Sequence, residues 1–502
     1  MLITILVYLA AMVGIGAVLA KQNQTTDDFY LGGRTLGPLV TAMSAEASDM
    51  SSWLLMGLPG VAYLSGTADA AWTAIGLAIG TYVNWLVVAK RLRNYTHVCG
   101  NSTTLPLFFS NRYRDNKRIL SVIAALLIII FFVPYTASGF AACGKLFANL
   151  FGMDYLPAML ISAIVIVAYT TLGGFLAAST TDFVQSIVMT IAIVVVFGFG
   201  ISKVGSFSAV MDNAKSMAGY FSLTHTHDVA TGTASPYSLL QIFSTLAWGL
   251  GYFGMPHVLL RFMAIGDANK LKLSRRVATV WVVISMAVSV FIGVIGNAMT
   301  KAGVLPTLKD PETIILVVSD LISKHGVLAT IIAGLILAGI LAATMSTADS
   351  QLLAASSSAS QNILKEVFMK DMSEKTGMLI ARITVLVIAL IGVFIARNPD
   401  SSVFQIVSFA WAGFGASFGP LVLLALFWKR STFQGALCGM VSGGVMVFVW
   451  KFLIRPMSGA LGIYELLPAF LLGLAVNVIV SLLTPAPSRE VQDEFDKVAS
   501  MK

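Results

Sequence analysis

Asp49 sits inside an apolar run that extends from about residue 38 to about residue 64. An ionised side chain in such a run costs at least roughly 2.5 to 3.5 kcal/mol on insertion scales, so where one occurs it usually faces an ion, a partner or an aqueous path. The bland alternative is a carboxylate near the inner end of the run that reaches water. Its neighbour Met50 offers a cation only a backbone carbonyl, and that requires a locally unwound helix. Farther along, Ala343, Ser346, Thr347 and Ser350 recur at i, i+3, i+4 and i+7, so they share a helix face carrying hydroxyls and a carbonyl. Neutral oxygens in such number suit a hard monovalent cation, although isolated Ser and Thr in membrane helices more often bond their own i−4 carbonyls or another helix. Asp349 is a second acid in the same run. Asp182, after Ser179-Thr180-Thr181, is a third, equally suited to capping a helix start. Trp248 and Tyr252 are four residues apart and share a face of an intact helix, where they wall a small apolar ring or merely pack. Tyr135, beside Pro134, is a further candidate for that wall.

Other matches fail on context. Gly249-x-Gly251-x-x-Gly254 fits a dinucleotide fingerprint but lies in an apolar run with no preceding strand. Gly415-x-Ser417-x-Gly419 mimics a nucleophile elbow without its strand–turn–helix setting. The five histidines form no HExxH, and no phosphate-binding loop occurs, so transport driven by this chain draws on an ion gradient. Cys99, Cys143 and Cys438 lie far apart and read as small core residues.

The elements that must position these residues follow from composition. Of 502 residues 57% are hydrophobic and only 11% charged, against roughly 25% in soluble domains, which excludes a soluble protein. The net charge of +8 is spread over connections without a basic face, so nucleic-acid binding is not expected. Thirteen candidate spans fall at about 2–20, 38–64, 70–90, 119–143, 155–178, 182–203, 237–263, 276–299, 326–359, 377–396, 402–428, 433–453 and 464–484. Residues 1–484 are therefore read as one transmembrane domain and 485–502 as a short charged cytoplasmic tail. Lys90 to Arg118 holds seven of the 32 Lys and Arg, and Arg261 to Arg276 holds five. The positive-inside rule then puts the C-terminus in the cytoplasm and, with an odd span count, the N-terminus outside. The connection 204–236 reads as a polar outside loop.

Two runs are interrupted alike. The second carries Asp49-Met50-Ser51-Ser52 and Gly57-Leu58-Pro59-Gly60; the seventh carries Trp248-Gly-Leu-Gly-Tyr-Phe-Gly-Met-Pro256. Freed backbone groups survive in a bilayer only where they line protein or a cavity. Broken helices five spans apart point to an inverted-repeat secondary transporter, with spans 2–6 and 7–11 as repeats. Glycine-rich packing faces are the alternative.

These runs, together with Leu31-Gly-Gly-Arg-Thr-Leu-Gly37, Ala47-Ser-Asp-Met-Ser51, Trp53-Leu-Leu-Met-Gly-Leu-Pro-Gly60, Gly173-Gly-Phe-Leu-Ala177 and Ala342-Ala-Thr-Met-Ser-Thr347, resemble the sodium:solute symporter family, and within it the bacterial proline-carrying branch. The resemblance implies an all-α polytopic membrane protein with a five-plus-five inverted repeat and alternating access. It implies a sodium site at Ala47, Met50, Ala343, Ser346 and Thr347, supported by Arg34, Asp49, Ser51 and Asp182. It implies a proline site at Tyr135, Trp248, Tyr252 and Pro256. Glu46 and Ser52 stand where that branch has glycine in its SAGASDMSGW run, and Glu46 adds a carboxylate at i−3 from Asp49. The expectation is a multi-pass bacterial inner-membrane symporter coupling sodium entry to L-proline uptake, with another small zwitterion or carboxylate as the alternative solute. A channel would lack strict coupling, and an enzyme would need a convergent nucleophile and base that the sequence does not contain.

Overall fold

The computed structural model describes residues 1–21, 25–369, 372–398 and 402–501. It is a bundle of helices: α1 (Leu2–Ala20), α2 (Pro38–Asp49), α3 (Leu58–Ser65), α4 (Thr67–Val83), α5 (Ile119–Phe151), α6 (Tyr155–Val204), α7 (Leu239–Leu246), α8 (Pro256–Ala264), α9 (Leu271–Lys301), α10 (Val327–Ser357), α11 (Glu374–Ala396), α12 (Val403–Phe427), α13 (Phe433–Val449), α14 (Leu466–Leu483) and α15 (Arg489–Ser500). Among the described residues ten helical stretches are long and apolar enough to cross a membrane, and three shorter apolar ones are Trp53–Ser65, Tyr155–Ala168 and Leu239–Phe253. Each overlaps one of the thirteen runs read from the sequence. Side chains such as Ile3, Ile164, Val280, Leu390 and Leu483 face outward, as an apolar solvent demands.

α10 is the hub. Almost every side chain from Ala333 to Ser357 is buried, because α1, α2, α5 and α6 all pack around it. α2 lies against α6, α8, α9 and α10, so its Asp49 end reaches the middle of the bundle.

The two interrupted runs break differently from the sequence reading. α2 stops where Met50 takes φ −81°, ψ 68°, and helix resumes at Ser52. Gly57-Leu58-Pro59-Gly60 is not a second break: the chain stays helical through it, the widened turn Trp53–Gly57 running directly into α3 with Pro59 as its second residue. Gly57 and Gly60 instead serve close packing, since a Cβ would lie 3.2 Å from Phe404 Cβ and 3.1 Å from Glu312 N. In the seventh run α7 tightens into a narrow helix over Ala247–Phe253, then breaks at Gly254 and Met255 before α8. Gly249 lets this turn touch Gly76 of α4, and Gly251 lets the Trp411 ring of α12 lie against the backbone.

Other expectations need amendment. α6 is two helices joined at Gly174 (φ 64°, ψ −172°), where helical geometry is lost, so the fifth and sixth runs stay separate and their connection lies a few residues before the predicted 178–182. The 204–236 connection holds the helix Phe207–Ser216 and a small hairpin pairing His225–His227 with Ala234–Pro236. The charged tail forms α15, whose Val491, Phe495 and Val498 pack on the helix Ala89–Val98 while Glu494 pairs with Arg114 at 2.7 Å. Cys99 and Cys143 are buried as expected, but Cys438 is exposed on α13.

The Gly251 contact makes a stability prediction. Gly251→Ala drives a methyl into the Trp411 indole and is expected to cost about 1–3 kcal/mol, as overpacking does. Gly14→Ala, with nothing within 4 Å of its Cβ, is expected to be neutral or stabilising. Thermal unfolding of the two purified variants checks both; equal midpoints would show that the contact is not tight.

Candidate functional site

The gap after α2 exposes backbone groups in the bundle centre, and side chains from four elements meet them. Ser346 on α10 donates to the Ala47 carbonyl at 2.8 Å and to the Ala343 carbonyl at 3.2 Å. Thr347 donates to the Ala343 carbonyl at 3.1 Å. The Asp49 carbonyl accepts from Tyr135 OH at 3.3 Å, Trp53 Nε1 at 3.3 Å and the Ser51 amide at 2.9 Å. The Asp49 carboxylate accepts from Tyr252 OH at 2.6 Å through Oδ2, and Oδ1 has no partner among the described residues. Asp49, Ser346, Tyr135 and Tyr252 are all 2% exposed or less, which removes the alternative that Asp49 reaches water. The hydroxyls of the 343–350 face do bond i−3 and i−4 carbonyls, as the bland reading held, and Ser346 also bridges to the other helix.

Trp248 and Tyr252 do not share a face. In the narrow helix of Ala247–Phe253, three residues make a turn, so positions four apart diverge by about 120°. Tyr252 turns to Asp49. Trp248 turns into an aromatic box, with ring centroids 5.1 Å from Tyr464, 5.5 Å from Phe404, 6.0 Å from Trp53 and 6.2 Å from Trp411. Trp411 stands between them, edge-on to Tyr252 at 5.1 Å and donating from Nε1 to the Trp248 carbonyl at 2.8 Å. Pro256 opens α8 just below.

Asp182 is not a helix cap, because α6 runs through it. It accepts from Ser44 at 2.6 Å and from Arg261 Nη2 at 3.2 Å, with both members of the ion pair 1% exposed or less. Arg261 also donates to Ser44 Oγ at 3.0 Å, to the His257 carbonyl at 3.0 Å and to Ser350 Oγ at 2.5 Å; Ser350 in turn bonds Asp349 at 3.1 Å. This network ties α2, α6, α8 and α10 together one turn from the α2 break. Arg261, counted from sequence as a loop charge, is thus an interior cation, and its place at the polar end of an apolar run hid it.

Arg34 stands apart from this centre. It donates to the Met263 carbonyl at 2.6 Å, the Ser102 carbonyl at 2.8 Å and Thr96 at 3.4 Å, stapling the chain before α2 to the end of α8. Burial and the neighbouring Arg93 lower its pKa to about 10, which leaves it charged at neutral pH. Ser51 lies in the break itself, its Oγ accepting from the Trp53 amide at 3.4 Å. Sequence reasoning missed Trp53, Trp411 and Tyr464, aromatics in runs that look like ordinary apolar helix.

Comparison with known proteins bears on this arrangement. A model of the sodium:solute symporter family matches residues 29–443. An osmoregulated proline transporter of Bacillus subtilis is 40% identical over 489 residues, 97% of this chain and 96% of the relative. Sodium/proline symporters of Salmonella typhimurium and Escherichia coli are each 41% identical, covering 99% of this chain and 96% and 95% of theirs. Among solved structures, a Na+-coupled sialic acid symporter in a substrate-bound, outward-open state matches with a TM-score of 0.79 at 19% identity, over 97% of this chain and 98% of that one. A nucleobase-cation-symport-1 family transporter in a closed conformation matches with a TM-score of 0.54 at 13% identity, over 93% and 98%. These likenesses give the fold.

The Asp182–Arg261 pair yields a test of the network. Asp182→Asn or Arg261→Gln alone leaves a buried charge unpaired and is expected to cost about 3–5 kcal/mol, whereas the double variant recovers part of that loss. A thermal-unfolding cycle on the four proteins reads the coupling; strictly additive losses would contradict it.

Proposed function

The chain belongs to the sodium:solute symporter family, and on that premise we propose that it couples inward sodium movement to the uptake of L-proline by alternating access. Relatives about 40% identical over nearly the whole chain are proline carriers, which favours proline over another small zwitterion or carboxylate. The family is one of transporters, not enzymes, and the chain is a multi-pass membrane protein.

The observation that carries this reading is the Ser346–Ala47 hydrogen bond. It brings the α10 hydroxyl face to the open end of α2, so carbonyls of Ala47, Met50 and Ala343 and hydroxyls of Ser346 and Thr347 are available to one desolvated cation. A sodium ion there would take the carbonyls and turn the hydroxyl lone pairs inward, replacing the bonds that now join the two helices. Asp49 balances its charge from the same break. Proline would lie against Tyr135, Trp248, Tyr252 and Pro256, its ring on aromatic faces. Tyr135 and Tyr252 both bond Asp49, so a solute that orders these rings also orders the ion site, which is how two ligands become coupled. Ser51, Asp182 and Arg34 hold the frame around the break.

Orientation with the C-terminus in the cytoplasm rests on the Lys and Arg of 90–118. α15 supports it, since Glu494 pairs with Arg114 and Asp496 with Lys429 on that same side of the bundle. The N-terminus then lies outside.

Binding of labelled proline to the purified chain across a sodium titration tests the proposal. Proline affinity should rise with sodium and not with potassium. Ser346→Ala with Thr347→Ala should raise the sodium midpoint about tenfold or more, a loss of ~1.4 kcal/mol, with partial recovery of proline affinity at saturating sodium. Trp248→Ala should weaken proline affinity by about 1–3 kcal/mol with a smaller effect on the sodium midpoint. An unchanged sodium midpoint in the double variant removes the α10 face from the ion site, and unchanged proline affinity in Trp248→Ala makes the aromatic box mere packing.

A further inference from the structure

Glu46, which the sequence resemblance sets apart from the proline-carrying branch, does not lie on a lipid-facing surface. It is fully buried, as are Asp49, Thr81 and Asn84. Its Oε1 accepts from Trp85 Nε1 at 2.7 Å, which holds the carboxylate between α2 and the turn that follows α4. The same turn reaches the second broken segment: Asn84 Nδ2 donates to the Tyr252 carbonyl at 3.1 Å, while Tyr252 OH donates to Asp49 Oδ2 at 2.6 Å. Glu46 and Asp49 are one helical turn apart on α2. Thr81, Asn84 and Trp85 recur at i, i+3 and i+4, so this helix face, the Glu46–Asp49 turn of α2 and Tyr252 come together. Phe262, with its ring centroid 4.4 Å from Trp85, packs against that indole.

Within this group the Trp85, Tyr252 and Asn84 donors are engaged, whereas four oxygens are not. The Trp85 N–H, the Tyr252 O–H and the Asn84 amide N–H all have partners. Glu46 Oε2, Asp49 Oδ1, Asn84 Oδ1 and Thr81 Oγ1 have none among the described residues. Neither carboxylate has a Lys, Arg or His ion-pair partner there; the nearby Arg261 is committed to Asp182. Two carboxylates, an amide oxygen and a hydroxyl, all hard oxygens, with no fixed cation to balance them, form a cation receptor.

We propose that Glu46, Asp49, Asn84 and Thr81 form a second monovalent-cation site in this chain, one that takes a second sodium ion beside the site at the α2 break. The inference rests on the symport reading, and charge balance selects the ligand. The first ion site offers only carbonyls and hydroxyls, with no formal charge of its own, so two sodium ions neutralise the Glu46 and Asp49 pair. A single ion leaves one buried carboxylate uncompensated. Asp49 belongs to both sites, its backbone bounding the first and its carboxylate serving the second, so the two ions bind cooperatively. Tyr252 links them to the solute. A chain with two ions per solute concentrates proline more steeply from the same sodium gradient.

Parallel uptake of radioactive sodium and labelled proline into liposomes containing the full chain tests this. We expect about two sodium ions per proline and sigmoidal activation by sodium, both signs of linked ion sites. Glu46→Gln keeps an acceptor for Trp85 but removes the charge, and should bring the ratio to about one with hyperbolic activation. Glu46→Gly, which removes the side chain altogether, should do the same. One sodium ion per proline in the unaltered chain overturns the second site even if neither variant folds. So does a ratio of two that survives both substitutions, or a second charge carried by protons rather than sodium. Proline uptake indifferent to sodium would have another meaning: it would remove the symport reading itself.

Discussion

A helix interrupted inside a bilayer leaves amides and carbonyls that lipid cannot satisfy, and each must be met from within the protein. The end of α2 is such a place. Between Ala47 and Ser51 the chain leaves helical geometry, and its carbonyls are met by Ser346, Tyr135 and Trp53. These groups come from α10, α5 and the helix that resumes beyond the break, so the elements around it are fixed by the demand of that one gap. From Ala333 to Ser357 α10 is buried among the helices packed around it, which brings its hydroxyls to the gap, and Tyr252 of Ala247–Phe253 is tied to the same place through its bond to Asp49.

Glycine makes the arrangement possible sterically, and interior charge makes it specific. At Gly249 and Gly251 the second broken segment comes within backbone contact of α4 and of Trp411, distances no side chain permits. The Asp182–Arg261 pair then fixes four helices in one register. A buried ion pair is a poor source of stability against an apolar replacement, but it punishes every arrangement that separates the partners. In a protein that must move between conformations such a pair suits discrimination between states better than simple holding.

The fold was largely legible in the sequence because its signals are local: apolar runs long enough to span, and two of them broken by glycine, proline and polar residues five spans apart. Asp49 and the 343–350 face were legible for the same reason, an acid and a hydroxyl periodicity that apolar sequence makes conspicuous. The failures are equally physical. α-Helical spacing gives Trp248 and Tyr252 a common face only where the helix is intact, and the tighter Ala247–Phe253 turn separates them. Gly57 to Gly60 looked like a second break, but glycine that permits packing is indistinguishable by type from glycine that permits unwinding. Arg261 was counted with loop charges because its partner lies 79 residues away. Trp411 and Tyr464 carry no signal at all until the chain folds, since an aromatic in an apolar run is the expected residue.

The account stands on the claim that a cation completes the broken end of α2 against α10. Hydrogen exchange of the purified chain, compared in sodium and in potassium at equal ionic strength, reads that claim at the backbone. Protection should rise in sodium for peptides covering 47–55 and 343–350, with little change in peripheral α13 and α14. Identical exchange across those two segments in both salts would contradict it.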